Sequence, residues 1–131
     1  MKGLVWLRND IRMDDNPALK TAFEECDSVI SIYAWSSEQL KKHNEANIKQ
    51  DFLVQNLKSL AANLNAVNVP LLIMESESFH AVKDEIAKLI QEHSINKVYW
   101  NKEFAFDEIN RDKGVHDALE AQSVEIQIFN D

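Results

Sequence analysis

Gly3-Leu4-Val5-Trp6-Leu7-Arg8-Asn9-Asp10-Ile11-Arg12-Met13-Asp14-Asp15-Asn16-Pro17-Ala18-Leu19 is the stretch on which the fold turns. Gly3–Leu7 is an unbroken apolar run without a polar face, as a strand buried on both sides requires. A polar loop follows, and then Asn16-Pro17, an N-cap residue before a proline in the first helical position. These signals predict a helix to about Glu25. Strand, loop and helix in that order make the first half of a βα unit.

The same alternation continues outward from this stretch. Val29–Trp35 is a β-rich run, and a helix is predicted over about Ala46–Asn65, where Phe52, Leu53, Leu57, Leu60, Ala61 and Leu64 share one face. Pro70–Met74 reads as a third strand, with proline tolerated at its start. Ser78 is a candidate cap for a helix carrying Phe79, Val82, Ile86, Leu89 and Ile90 at helical spacing. Lys97–Trp100 is a short fourth strand, a helix is predicted over about Phe106–Ala121, and Val124–Phe129 is the fifth strand. Alternating strands and helices predict an α/β fold: a Rossmann-like five-stranded parallel sheet, order 3-2-1-4-5, with helices on both faces. In such sheets ligands gather beyond the carboxyl ends of the strands, where the strand order reverses. The segments to interrogate are therefore Arg8–Asp15, Ser36–Glu45 and Asn101–Asp107.

Composition narrows the function classes. The 131 residues suit one domain, since domains commonly run roughly 100–200 residues. With 45% hydrophobic and 27% charged residues the usage is that of a globular protein. Fourteen basic against 22 acidic residues give a formal charge of −8, which repels phosphate backbones and argues against general nucleic-acid binding by this chain. No apolar run reaches the roughly 18 residues of a membrane span, so no membrane partner is expected. The single cysteine, Cys26, precludes an internal disulfide and fits a cytoplasmic setting. Gly3 and Gly114 are the only glycines, too few for a GxGxxG dinucleotide fingerprint or a Walker A loop.

Among candidate sites, Arg8 and Arg12 stand among Asp10, Asp14 and Asp15, which suggests a polar loop ordered by guanidinium forks on carboxylates. A metal reading of those aspartates lacks the remaining oxygen ligands. His80, His93 and His116 have no metal spacing, and Cys26 reads as a packing residue. Trp6, Trp35 and Trp100 lie in or at the ends of strands and read as core or pocket lining.

The segment Leu4–Leu19 resembles the N-terminal signature of the DNA photolyase/cryptochrome family: a strand ending in Trp-Leu-Arg, then Asp-Ile-Arg, then Asp-Asn-Pro-Ala-Leu. The resemblance extends through His43-Asn44, Val69-Pro70-Leu71-Leu72 and Asn101 to Arg111-Asp112, and is strongest to bacterial class I cyclobutane pyrimidine dimer photolyases. It implies that residues 1–131 are the family's N-terminal α/β domain. The C-terminal helical domain, which binds FAD and the flipped-out dimer, is expected to be absent from this sequence. The implied function is that of the antenna-binding domain of a light-dependent lyase that repairs DNA, with no catalytic residue in this chain and no repair by it alone. A cryptochrome-type blue-light photoreceptor domain is the alternative, and a free-standing nucleotide-binding or interaction domain of the same fold is a third reading.

The implied cofactors are methenyltetrahydrofolate, shared with the helical domain, and FAD, bound by that domain. The implied partners are the helical domain itself and, in the full-length protein, damaged DNA. An exposed interdomain face would also support self-association of the separate domain. In folate-binding members a histidine and an Asn-Glu pair help hold the folate. Alignment without gaps on Tyr99-Trp100-Asn101 and Arg111-Asp112 puts that pair at Asp107-Glu108, and His43 falls on the histidine position. Ionised Glu108 has a chemical use there, accepting from the amino and ring N–H donors of a pterin. Asp107 departs from the pattern, because ionised Asp only accepts. Either the backbone of this position is what matters, or the chromophore or its pose differs. Without the resemblance, Asp107-Glu108 reads as an acidic first turn complementing a helix dipole, and His43 as an exposed loop histidine.

Overall fold

A computed structural model describes residues 1–8, 13, 15–36, 47–76, 82–102 and 106–129, with the side chains of 35–36, 47–53, 75–76 and 106–111 outside the description. The elements run β1 (Lys2–Leu7), α1 (Pro17–Glu25), β2 (Ser28–Ser36), α2 (Asn47–Asn65), β3 (Leu71–Ser76), α3 (Val82–His93), β4 (Lys97–Asn101), α4 (Phe106–Glu120) and β5 (Glu125–Phe129). The five strands form one sheet in the order β3-β2-β1-β4-β5, and every neighbouring pair is parallel. This is the predicted architecture, with the order reversing between β1 and β4.

Side-chain alternation along the strands divides the interior into two layers. Leu4 and Trp6 of β1, Ile30 and Ile32 of β2 and Val98 and Trp100 of β4 pack with Val82, Ile86 and Ile90 of α3 and Val115 and Leu119 of α4. Val5, Leu7, Val29 and Tyr99 pack on the opposite side with Ala18, Leu19 and Ala22 of α1 and Leu60 and Leu64 of α2. Because β1 serves both layers, its sequence shows no polar face.

The element boundaries have local causes. Asn16 Oδ1 accepts from Leu19 N at 3.2 Å and Pro17 occupies the first turn of α1, so this helix starts where its capping signal stands. β3 begins at Leu71 rather than Pro70, since proline lacks the N–H a ladder needs; the Pro70 carbonyl instead accepts from Ser31 N at 2.9 Å and Ser31 Oγ at 3.0 Å. The candidate cap Ser78 lies outside the described residues. Val124 is drawn out of β5 because its N–H closes the end of α4 on Leu119 O at 3.3 Å.

Three helices end alike. Asn68, Ser94 and Ser123 take left-handed backbone, with φ of 63°, 55° and 60°. Each lets the next residue's N–H bond back five positions: Val69 to Leu64 at 2.9 Å, Ile95 to Ile90 at 3.0 Å and Val124 to Leu119 at 3.3 Å. Glycine usually fills this position at a helix end, and here non-glycine residues do so in a glycine-poor chain. No helix among the described residues is long and apolar enough to cross a membrane.

Candidate functional site

The β1–β4 reversal brings a polar cluster to the carboxyl ends of these strands, and the alternation that builds the core also aims its members. Leu4 and Trp6 face α3 and α4, so Arg8, the next residue of that parity, emerges toward α4. Its Nη1 donates to Asp112 Oδ1 on α4 and its Nη2 donates to the carbonyl of Asn101 at the end of β4. The Arg8 side chain is 4% exposed and that of Asp112 12%. The guanidinium carbon also stands 4.6 Å from the centre of the Trp6 ring, a cation–π contact. Trp6 and Trp100, register partners on β1 and β4, meet edge to face at 5.3 Å.

Residues of β4 with the other parity, Lys97, Tyr99 and Asn101, run along α1. Asn101 Nδ2 donates to Asn16 Oδ1 at 2.8 Å, and Asn101 Oδ1 accepts from Ala18 N at 3.2 Å. Asn16 Oδ1 thus serves both the α1 cap and the end of β4. Arg8, Asn16, Asn101 and Asp112 tie β1, α1, β4 and α4 together within the crevice region that the topology marks for ligands.

At the amino ends of the strands a second cluster forms. Lys97 Nζ donates to Glu25 Oε1 at 2.8 Å and lies 3.6 Å from Glu125 Oε2. The Tyr99 hydroxyl donates to Glu25 Oε1 at 2.7 Å and stands 3.3 Å from Cys26 Sγ. With its one proton committed to Glu25, the hydroxyl accepts from the thiol. Burial, then the bonds to Cys26 and Glu25, push the Tyr99 hydroxyl up in pKa. The Lys97 and Tyr99 hydrogen bonds hold the Glu25 carboxyl below its ordinary value. Burial pulls the Lys97 ammonium down, but the Glu25 hydrogen bond and the Glu125 and Glu25 charges outweigh it and leave the pKa raised. Nearby, the Met1 ammonium pairs with Asp27 at 2.7 Å, raising the amine and lowering the carboxyl. These groups anchor the amino end of the sheet, opposite the polar cluster at the carboxyl ends of β1 and β4.

Of the residues singled out in the sequence, Asp107 and Glu108 belong to the first turn of α4, which starts five positions after β4 ends. Their side chains, and His43 altogether, lie outside the described residues. Arg8 does hold a carboxylate, that of Asp112 on α4, 104 positions away. Asp10, Arg12 and Asp14 lie outside the description. Trp6 and Trp100 are fully buried, as expected of core tryptophans, while the Trp35 side chain is outside the description. Cys26 is half-buried and packs on Gly3 and Tyr99. Sequence reading missed the Asn16–Asn101 pair; the signal available was the shared parity of Tyr99 and Asn101.

Two further features lie apart from the crevice. His116 stands 3.7 Å from both Asp117 and Glu120 on α4, and the two carboxylates are exposed. A groove of about 300 Å³ between α2 and β3 is lined by Val54, Leu57, Lys58, Ala61, Leu71 and Ile73.

Comparison with known proteins gives the setting of this geometry. A family model described as DNA photolyase matches residues 3–131. The deoxyribodipyrimidine photo-lyase of Vibrio cholerae serotype O1 is 32% identical over 128 residues, covering 98% of this chain and 27% of that protein. A crystal structure of Synechocystis sp. cryptochrome superimposes with a TM-score of 0.89 at 20% identity, covering 98% of this chain and 27% of that one. An archaeal photolyase from Sulfolobus tokodaii, solved with two FAD molecules, superimposes at 0.84 and 23% identity, covering 100% and 29%. At these identities the structural likeness concerns the fold. The chain spans about 27% of the length of the curated relative it matches.

Proposed function

The chain belongs to the DNA photolyase family, and from that premise we propose that it is the N-terminal α/β part of a longer deoxyribodipyrimidine photolyase, where it holds the light-harvesting chromophore. The observation that carries the reading is the position of residues 107–108. They open α4 directly beyond β4, at the sheet end and strand reversal where ligands of such folds lie, beside the buried Arg8–Asp112 pair.

A folate antenna is our assignment for the ligand. An ionised Glu108 accepts from pterin N–H donors, while Asp107, an acceptor only, suits a backbone contact at its position. His43 is the third proposed contact. When bound, the antenna supplies absorbed light energy to a reduced FAD whose electron splits the pyrimidine dimer. This chain's own task is to hold one chromophore in fixed geometry; the FAD, the lesion and the DNA contacts belong to the helical part of the full-length protein. The −8 charge supports that division, since this chain offers little attraction to phosphates. A cytoplasmic setting and weak folate binding by the 131 residues alone are parts of the same proposal.

The test uses the full-length polypeptide. Chromophore released from it, identified by absorbance and mass, is expected to include methenyltetrahydrofolate besides FAD. Glu108→Ala is expected to deplete the folate and leave the FAD. A deazaflavin, or a second flavin as in the Sulfolobus tokodaii structure, overturns the folate assignment. Unchanged folate occupancy removes Glu108 from the site. A polypeptide that holds FAD but repairs no dimers belongs with light-sensing relatives instead.

A further inference from the structure

We infer that Arg8 and Asp112 are positioning residues for the antenna: their buried pair sets where the first turn of α4 stands relative to the carboxyl ends of β1 and β4. The inference rests on the reading of residues 107–108 as antenna contacts and adds what holds them in place.

The C-terminal half of α4 is fixed by Val115 and Leu119, both fully buried in the layer shared with α3. The ion pair acts one turn nearer the start of the helix. One guanidinium bonds Asp112 on α4 and the Asn101 carbonyl on β4 while leaving directly from the end of β1, so three elements meet at a single planar group. A guanidinium fork fixes direction as well as distance, which a packed methyl group does not. Asn101 is itself tied to the α1 cap, so the fork rests on a held backbone.

Stability alone is a weak reason for such a pair. Desolvating two charges is costly, and apolar replacements of similar volume often leave a protein as stable or more so. Geometry is the better reason. Residue 108 stands four residues before Asp112, about 6 Å along the helix axis, so a tilt of about 10° at the pin moves it by about 1 Å. Preorganised sites tolerate about 0.5 Å. Four residues is also close to one helical turn, which puts 108 and 112 on the same side of α4.

The experiment compares three variants of the full-length polypeptide, each loaded with methenyltetrahydrofolate, reading folate affinity, the absorption maximum of bound folate, FAD content and the thermal midpoint. Asp112→Ala is expected to weaken folate binding about tenfold and shift the bound absorption maximum toward that of free folate, with FAD content unchanged. Arg8→Met with Asp112→Leu guards against simple unfolding: its thermal midpoint is expected at or above the parent's, with folate weakened to the same degree. Glu108→Ala tests the underlying reading. Folate lost in Glu108→Ala but bound normally by the apolar pair overturns the positioning role and leaves the antenna reading standing. Folate bound normally by Glu108→Ala removes residue 108 from the site and overturns the positioning role with it.

Discussion

Replacing Gly3 by alanine tests the packing at the amino end of the sheet. A methyl group at Gly3 would lie 2.6 Å from Cys26 Sγ and 3.2 Å from Tyr99 Cε1. Non-bonded atoms of this size settle at about 3.5–4.0 Å, so the overlap with sulfur is about 1 Å. Swinging the sulfur away gives up its 3.3 Å contact with the Tyr99 hydroxyl, which is itself bonded to Glu25. Overpacking of this kind costs about 1–3 kcal/mol. Alanine returns about 0.5–1 kcal/mol through the smaller entropy of its unfolded chain. The net expectation is a loss of about 1 kcal/mol at the centre of these ranges, or about 3–5 °C in Tm for a chain of this size. Urea unfolding followed by tryptophan emission reads it. Removing the sulfur should relieve the clash, so Gly3→Ala with Cys26→Ala is expected to be more stable than the sum of the two single effects, by about 1 kcal/mol. Strict additivity, or a Gly3→Ala chain as stable as its parent, would refute the reasoning.

Two other expectations concern stability. Asn16→Ala removes the α1 cap and the acceptor of Asn101 Nδ2 together, so a loss of about 2–3 kcal/mol is expected in denaturant unfolding; a loss under about 0.5 kcal/mol would mean that the shared oxygen matters little. The pH profile should have two separable flanks. Glu25 is lowered from 4.5, so its contribution is present above that value and fades as acid protonates it in the folded state, and Lys97→Met should flatten the acid flank. The Met1 amine is raised from 8.0, so its contribution is complete below that value and fades as alkali deprotonates it in the folded state. Asp27→Asn should remove the part of the alkaline fall that begins near 8.0, leave the Lys97 and Tyr99 part at higher pH, and take Asp27's own share out of an acid flank that Glu25 still shapes. Stability measured against pH decides both, and a profile unmoved by either variant would rule out these pairs as its source.

What could be read in advance had local causes. The all-apolar β1, the Asn16-Pro17 start and the helical spacing of Leu57, Leu60 and Leu64 express their structure within a few residues. The sheet order followed from chain alternation and crossover handedness. The proposed contacts 107–108 came from resemblance, since an acidic first turn is common for dipole reasons alone. Long-range partners left no local mark. Nothing around Arg8 announces Asp112, and nothing around Lys97 announces Glu25. The helix ends at Asn68, Ser94 and Ser123 were equally silent, because their left-handed residues are not glycine.

Trp6 and Trp100 give this fold an optical property of its own. Both indoles among the described side chains are fully buried, 5.3 Å apart with rings inclined at 74°, on the paired strands that frame the crevice. At that spacing and burial the two rings are expected to exchange excitation and to be shielded from quenching by water. Indole emission falls where near-ultraviolet chromophores absorb, so the proposed chromophore at this end of the sheet is expected to shorten the emission lifetime of the pair. Unfolding shifts the same emission to longer wavelength. One unlabelled signal thus separates a chain that has lost its ligand from a chain that has lost its fold.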